Sequence, residues 1–276
     1  MVRLSTHEYK RSAPQWLERL GNVGRRKSRF VRRILLCALI VLPATEMSAQ
    51  AQNESPYYAR KNTFGVFGAY SANSSHMLLG AAQNRKLLFF GVSYSRRLML
   101  NHGLNWQYNA ELMPVALESD PVQHTVVHQT SPIVITYTEE TRQSAACMNQ
   151  SGSFDLTFPN GERLAYTYVA TCERQWSMGQ AASPAGMQWN FNPRRSIQPF
   201  ITSHGGYMYS TQQIPVDGAG SFNFTFDLGA GLEIYRSKAR SIRAEYRYHH
   251  TSNNDTAQRN PGIDSGLFQV TYAFGR

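Results

Sequence analysis

Between residues 222 and 234 every second side chain is apolar. Phe222, Phe224, Phe226, Leu228, Ala230, Leu232 and Ile234 alternate with Asn223, Thr225, Asp227, Gly229, Gly231 and Glu233. A period of two puts the two sets on opposite faces of a β-strand. The pattern recurs along the chain. Residues 63–71 alternate loosely, and 87–97 set Phe90, Val92 and Tyr94 against Gly91, Ser93 and Ser95. In 104–112, Leu104, Trp106, Tyr108, Ala110 and Leu112 oppose Asn105, Gln107, Asn109 and Glu111. In 185–192, Ala185, Met187, Trp189 and Phe191 oppose Gln188 and Asn190. Residues 197–209 are blurred, with Gly205 and Gly206 expected at a bend or bulge. Two C-terminal strands follow, one with Ile242, Ala244, Tyr246 and Tyr248 in phase, the other with Phe268, Val270, Tyr272 and Phe274 in phase. The reading is all-β, with about eight antiparallel strands.

A soluble sheet alternates too, and a soluble β-barrel is the competing architecture. Three features favour a membrane barrel. The apolar face is rich in aromatic residues along nearly every strand. The opposite face carries Glu111, Asp227, Glu233, Arg243 and Glu245, charges that can pair inside a closed barrel. The connections also alternate, with short turns near 98–103, 193–196 and 235–240 and longer loops near 72–84, 116–180, 210–221 and 251–262. Short inner turns and long outer loops are the habit of eight-stranded outer-membrane β-barrels. The stretch 116–180 is too long for a plain loop. It is expected to be an extracellular insertion with strand-like pieces, either an extension of the flanking strands or a lid.

The first 51 residues read as a signal peptide, leaving 52–276 as the barrel. Arg25, Arg26, Lys27, Arg29, Arg32 and Arg33 precede a short apolar run, 34–42, and Ser48, Ala49 and Ala51 supply small residues for cleavage. The run is too short to span a bilayer as a helix. Residues 1–51 hold 10 of the 28 Lys and Arg and 3 of the 18 Asp and Glu, so the remainder carries 18 − 15 = +3. The basic character therefore belongs to the leader, which argues against a nucleic-acid partner. Cys37 falls inside the leader. Cys147 and Cys172 remain as a pair in an exported chain and are expected to form a disulfide. No His or Cys cluster has metal-ligand spacing. Oligomeric state, a homodimer included, stays open.

The chemistry-bearing residues gather near the C-terminus. His250 and Ser252 continue the apolar phase of Tyr246 and Tyr248, and Asp264 is in phase with Phe268 and Val270. A nucleophile, a base and an acid that orients the base thus converge on one apolar face at the loop end of a hairpin. His249 falls on the interior phase. The pattern His250-x-Ser252-Asn253, then Asn260-Pro261-Gly262-Ile263-Asp264, resembles the lipid A 3-O-deacylase family (PagL-like acyloxyacyl hydrolases). The specific likeness covers roughly the last thirty residues. It departs at Asp264, where the best-known members carry Glu, one methylene longer.

The resemblance implies an outer-membrane esterase whose active site faces the outer leaflet and lipopolysaccharide. Ser252 would be the nucleophile, His250 the general base, and Asp264 the residue that fixes the imidazole. Asn253 or Asn260 would donate to the oxyanion. Arg259, Arg85 and Lys86 would meet lipid A phosphates, and rim aromatics would hold acyl chains. The mechanism drawn this way uses no metal and no cofactor. A non-catalytic barrel of adhesion or structural type, and an outer-membrane phospholipase, are the alternatives. The leader reading predicts that the exported protein begins just after Ala49 or Ala51, which N-terminal sequencing of the membrane-extracted chain checks.

Overall fold

The computed structural model describes residues 56–131 and 133–276, and the expected leader lies outside them. Ten strands follow one another: β1 (Asn62–Ser71), β2 (Lys86–Leu100), β3 (Leu104–Ser131), β4 (Ile135–Thr141), β5 (Gln150–Thr157), β6 (Arg163–Phe191), β7 (Ile197–Ser210), β8 (Phe222–Ser237), β9 (Arg240–Ser252) and β10 (Ile263–Gly275). Eight of them close a ring. β1 to β3 pair in order, β3 pairs with β6, β6 to β10 pair in order, and β10 returns to β1. Every pairing is antiparallel. Among the described residues no helix is long and apolar enough to cross a membrane.

Alternation decides which face turns inward. On β8 the odd residues Asn223, Asp227 and Glu233 are buried, while Phe224, Phe226, Leu228 and Leu232 are exposed. The same holds on β2, where Ser93 and Ser95 are buried and Phe90 and Val92 exposed. This is the inverse of a soluble barrel. A polar interior and an aromatic exterior suit a ring whose outside meets lipid, because every backbone N–H and C=O is satisfied strand to strand with no open edge.

The expected long insertion is an extension of the flanking strands. β3 and β6 run on past the ring and stay paired to Ser131 and Ala165. β4 pairs with the far part of β3, and β5 with the far part of β6. Together they make a four-stranded flap at the loop end. Cys147 and Cys172 are joined in a disulfide there, with Cα atoms 5.9 Å apart. Strand β7, blurred in sequence, is regular against β8; the irregularity lies on β6, between Ala182 and Ala185. Gly206 accommodates it, since a Cβ there would stand 2.2 Å from the Ala182 carbonyl oxygen.

The lumen is filled in layers. Near the termini Glu233 binds Arg60 at 2.6 Å and Arg243 at 3.3 Å. At mid-height Arg247 forks onto Glu111 at 2.7 and 2.8 Å and onto Glu245 at 2.8 Å. His249 meets Asp227 at 2.6 Å, as its interior phase requires. Above lies an apolar layer of Phe67, Leu87, Phe89, Met113, Met208 and Leu267. The loop 211–221 closes the top with buried Ile214, Val216 and Ala219. Buried charges hold only when each has a counter-ion and its hydrogen bonds. Replacing Arg247 by Met leaves Glu111 and Glu245 without their shared cation. The expected cost is about 3–5 kcal/mol, read from equilibrium urea unfolding of the barrel in lipid vesicles.

Candidate active site at the loop end

Strand register brings the acid to the base. Asp264 pairs directly with His250 across β9 and β10. Both point outward, since their neighbours Thr251 and Ser265 fill the interior phase. An outward carboxylate at a lipid-facing rim is costly unless something covers it. The loop 72–85 provides that cover. Ser74 bridges to Ser265 and Ala82 to Ile263. The Ala81 N–H donates to the Pro261 carbonyl at 2.6 Å, and the Ala82 N–H to that of Gly262 at 3.0 Å. Gly80 allows the closest approach, because a Cβ there would stand 2.5 Å from the Asp264 nitrogen. Asp264 is completely buried as a result.

Four donors meet this carboxylate. Oδ1 accepts from His250 Nδ1 at 2.7 Å and from the Tyr248 hydroxyl at 2.8 Å. Oδ2 accepts from the backbone N–H groups of Leu78 and Leu79, at 2.7 and 2.8 Å. Donors on both oxygens favour the ionised form of the acid. An ionised carboxylate only accepts, so the imidazole proton sits on Nδ1, and Nε2 is left to act as a base. Ser252 stands on the same outward face, two residues along β9, a Cα step of roughly 6–7 Å. Among the described contacts Ser252 makes no hydrogen bond to His250. The structure therefore joins imidazole and carboxylate, and puts the hydroxyl on their face without the third contact.

Other expected site residues are placed differently. Arg85 is fully buried, so it is not a lipid-phosphate contact. Its guanidinium binds Asp120 at 3.1 Å and the carbonyls of Gln143 at 2.6 Å and Pro215 at 2.8 Å. It ties three loops over the barrel mouth, and such a hub has no donor to spare for a ligand. Lys86 begins β2 on the outward phase and Arg259 is exposed, so both remain accessible. The two asparagines work within the β9–β10 loop. Asn253 is buried, and its side-chain amide donates to the Arg259 carbonyl at 2.7 Å. Its N–H donates to Asn260 Oδ1 at 3.1 Å, while Asn260 Nδ2 donates to Asp255 at 3.1 Å. One proton of the Asn253 amide is thus committed to the loop.

Two features escaped the sequence. Tyr248 shares the phase of His250 and could have been picked out by register. The amides of Leu78 and Leu79 come from 186 and 185 residues away and have no sequence signal. Beside the site, outside the barrel, lies a groove of about 400 Å³ lined by Tyr70, Met77, Tyr246, Gly266 and Phe268. Among the described residues there is no group of three or more His, Cys, Asp or Glu able to hold a metal.

Fold and site together define an inside-out, eight-stranded β-barrel with a clamped His–carboxylate pair at its loop end. Residues 149–273 match the family described as lipid A 3-O-deacylase (PagL), a span that contains His250, Ser252 and Asp264. Among solved structures, the outer membrane enzyme PagL is 14% identical with a TM-score of 0.43, covering 77% of this chain and 99% of that one. Neisserial surface protein A is 10% identical with a TM-score of 0.37, covering 78% and 97%. The outer membrane protein OprG from Pseudomonas aeruginosa is 8% identical with a TM-score of 0.38, covering 81% and 100%. No curated protein sequence matches the chain. The asparagine geometry carries its own test. Asn253→Ala should unhook the β9–β10 loop and lower stability by about 0.5–1.5 kcal/mol, the usual net contribution of one hydrogen bond, as read from urea unfolding.

Proposed function

We propose that this protein is an outer-membrane esterase that removes an ester-linked 3-hydroxyacyl chain from lipid A. The observation that carries the reading is the contact between His250 and Asp264 on the outward face, at the loop end, beside an apolar groove. The match of residues 149–273 to the lipid A 3-O-deacylase family supports the substrate. In this reading the loop end is extracellular, and the site meets the outer leaflet, where lipopolysaccharide resides.

In this reading each residue of the triad has one role. Ser252 Oγ attacks the ester carbonyl carbon while His250 Nε2 takes its proton. Asp264, held on Nδ1, fixes the tautomer and stabilises the imidazolium. The tetrahedral intermediate collapses, the C–O bond to the glucosamine breaks, and His250 returns the proton to the leaving sugar hydroxyl. Water then attacks the acyl-enzyme with His250 again as base, which releases the 3-hydroxy acid and restores Ser252. For this Ser252 must turn toward His250 when substrate binds, a tightening common to catalytic hydrogen bonds. The acyl chain lies in the groove walled by Tyr246, Phe268 and Met77. Arg259 and Lys86 are the cations open to lipid A phosphates.

The test is mass spectrometry of lipid A from Gram-negative cells expressing the chain, beside cells expressing Ser252→Ala. Loss of one hydroxyacyl mass with the intact chain only is the expected result. Activity in Ser252→Ala would remove Ser252 from the mechanism. No change in either, with the barrel in the outer membrane, would transfer the reading to a non-catalytic barrel or to another ester, a phospholipid included.

A further inference from the structure

The turn that covers Asp264 has two faces with different surroundings. Its backbone faces the site, where the Leu78 and Leu79 amides bind Asp264 Oδ2. Its side chains face away. Leu78 is 71% exposed, Leu79 68% and Met77 43%. Three consecutive large apolar side chains on one exposed turn are unusual on a water-facing surface. They sit on the side of the barrel where Tyr70, Tyr246 and Phe268 are also exposed, and Met77 shares a groove with them. The outer surface of β1, β9 and β10 therefore continues onto the turn through a groove that Asn73 and Ser75 also line.

The turn has little to hold it from within. His76 Nδ1 meets the Gly80 carbonyl at 2.6 Å, and the next ties, at Ala81 and Ala82, lie beyond Gly80. Between them, residues 77–79 are fixed by the two amide contacts to Asp264 and by a Leu79 backbone contact to Tyr248. Whatever holds the three side chains also holds those amides.

We propose that residues 77–80 form a lipid-anchored clamp. The side chains of Met77, Leu78 and Leu79 enter the lipid surface, and the amides of Leu78 and Leu79 thereby hold Asp264 against His250. Resting on the esterase reading, this makes the turn a positioning element of the catalytic acid, one that is set when the barrel sits in a bilayer. Tyr248 is its partner on the other oxygen, and the two together fix both edges of the carboxylate. A short acid needs such a hold, because misplacing a catalytic group by about 1 Å can cost on the order of a hundredfold in rate.

The experiment compares the intact chain with Leu78→Asn/Leu79→Asn and Leu78→Ile/Leu79→Ile, in vesicles of lipid A and phosphatidylethanolamine. Both double variants keep the amides; only the first loses the anchor. Hydrogen exchange at the two amides should be at least about tenfold faster in the Asn variant, since local opening sets exchange. It should stay slow in the Ile variant, with the urea midpoint of the barrel unchanged in both. kcat should fall at least about tenfold in the Asn variant with KM little changed, and the Ile variant should retain it. Slow exchange in the Asn variant, or a rise in KM with kcat intact, would overturn the clamp and leave the turn as a substrate contact at most. The exchange measurement needs no turnover. An intact chain that hydrolyses nothing would sink the esterase reading, while the exchange data still decide whether lipid sets the turn.

Discussion

Backbone hydrogen bonding in a medium without water governs this molecule. A chain whose outer surface is Phe, Tyr, Leu and Val can sit in lipid only if its peptide groups find partners within the protein. The closed ring achieves this, with β10 pairing back to β1 and β3 spanning to β6. Closure then imposes an inside. The alternate residues of eight strands must fill a narrow lumen, and most of them are polar or charged. The arginine–carboxylate network of Arg60, Arg243 and Arg247 is the consequence, since a charge in that space is tolerable only when matched.

The lumen also fixes the rim. The apolar layer of Phe89, Met113 and Met208 and the loop 211–221 seal the interior below the mouth. Arg85 then ties its own loop to β3 and to two further loops across it. The candidate site lies on the outside of the wall, where β9 and β10 end. There the strand register that satisfies the backbone also sets His250 against Asp264. The same hydrogen-bond ladder thus serves as scaffold and as the ruler of the site.

Asp264 shows how a lipid-facing position is made to hold a carboxylate. Strand phase turns it outward, and the β1–β2 loop then removes it from lipid and supplies two backbone donors. The groove beside it is bounded by the same loop and by Tyr246 and Phe268. Acid, base, hydroxyl and apolar groove are therefore assembled by two strands and one distant loop.

Much of this was legible in the residues. Alternation gave the eight ring strands, because side-chain period in a strand is fixed at two whatever the strand pairs with. It also gave the inward phase of His249 and the shared outward phase of His250, Ser252 and Asp264. The length of β3 and β6 beyond the ring was not legible, since the flap strands are exposed on both faces and carry no clean period. Nor was the fate of Arg85, Asn253 and Asn260. A loop residue is polar in sequence whether it awaits a ligand or ties its own loop, and only the folded contacts distinguish the two. The amides that hold Asp264 were beyond any local reading, because a peptide N–H is present at every residue but proline and only tertiary structure aims it. Sequence by itself determined the barrel, its polarity and the face on which the candidate triad lies. The three-dimensional fold decided which polar groups are already spent and which two remote peptide groups steady the acid, because both depend on contacts between segments far apart in the chain.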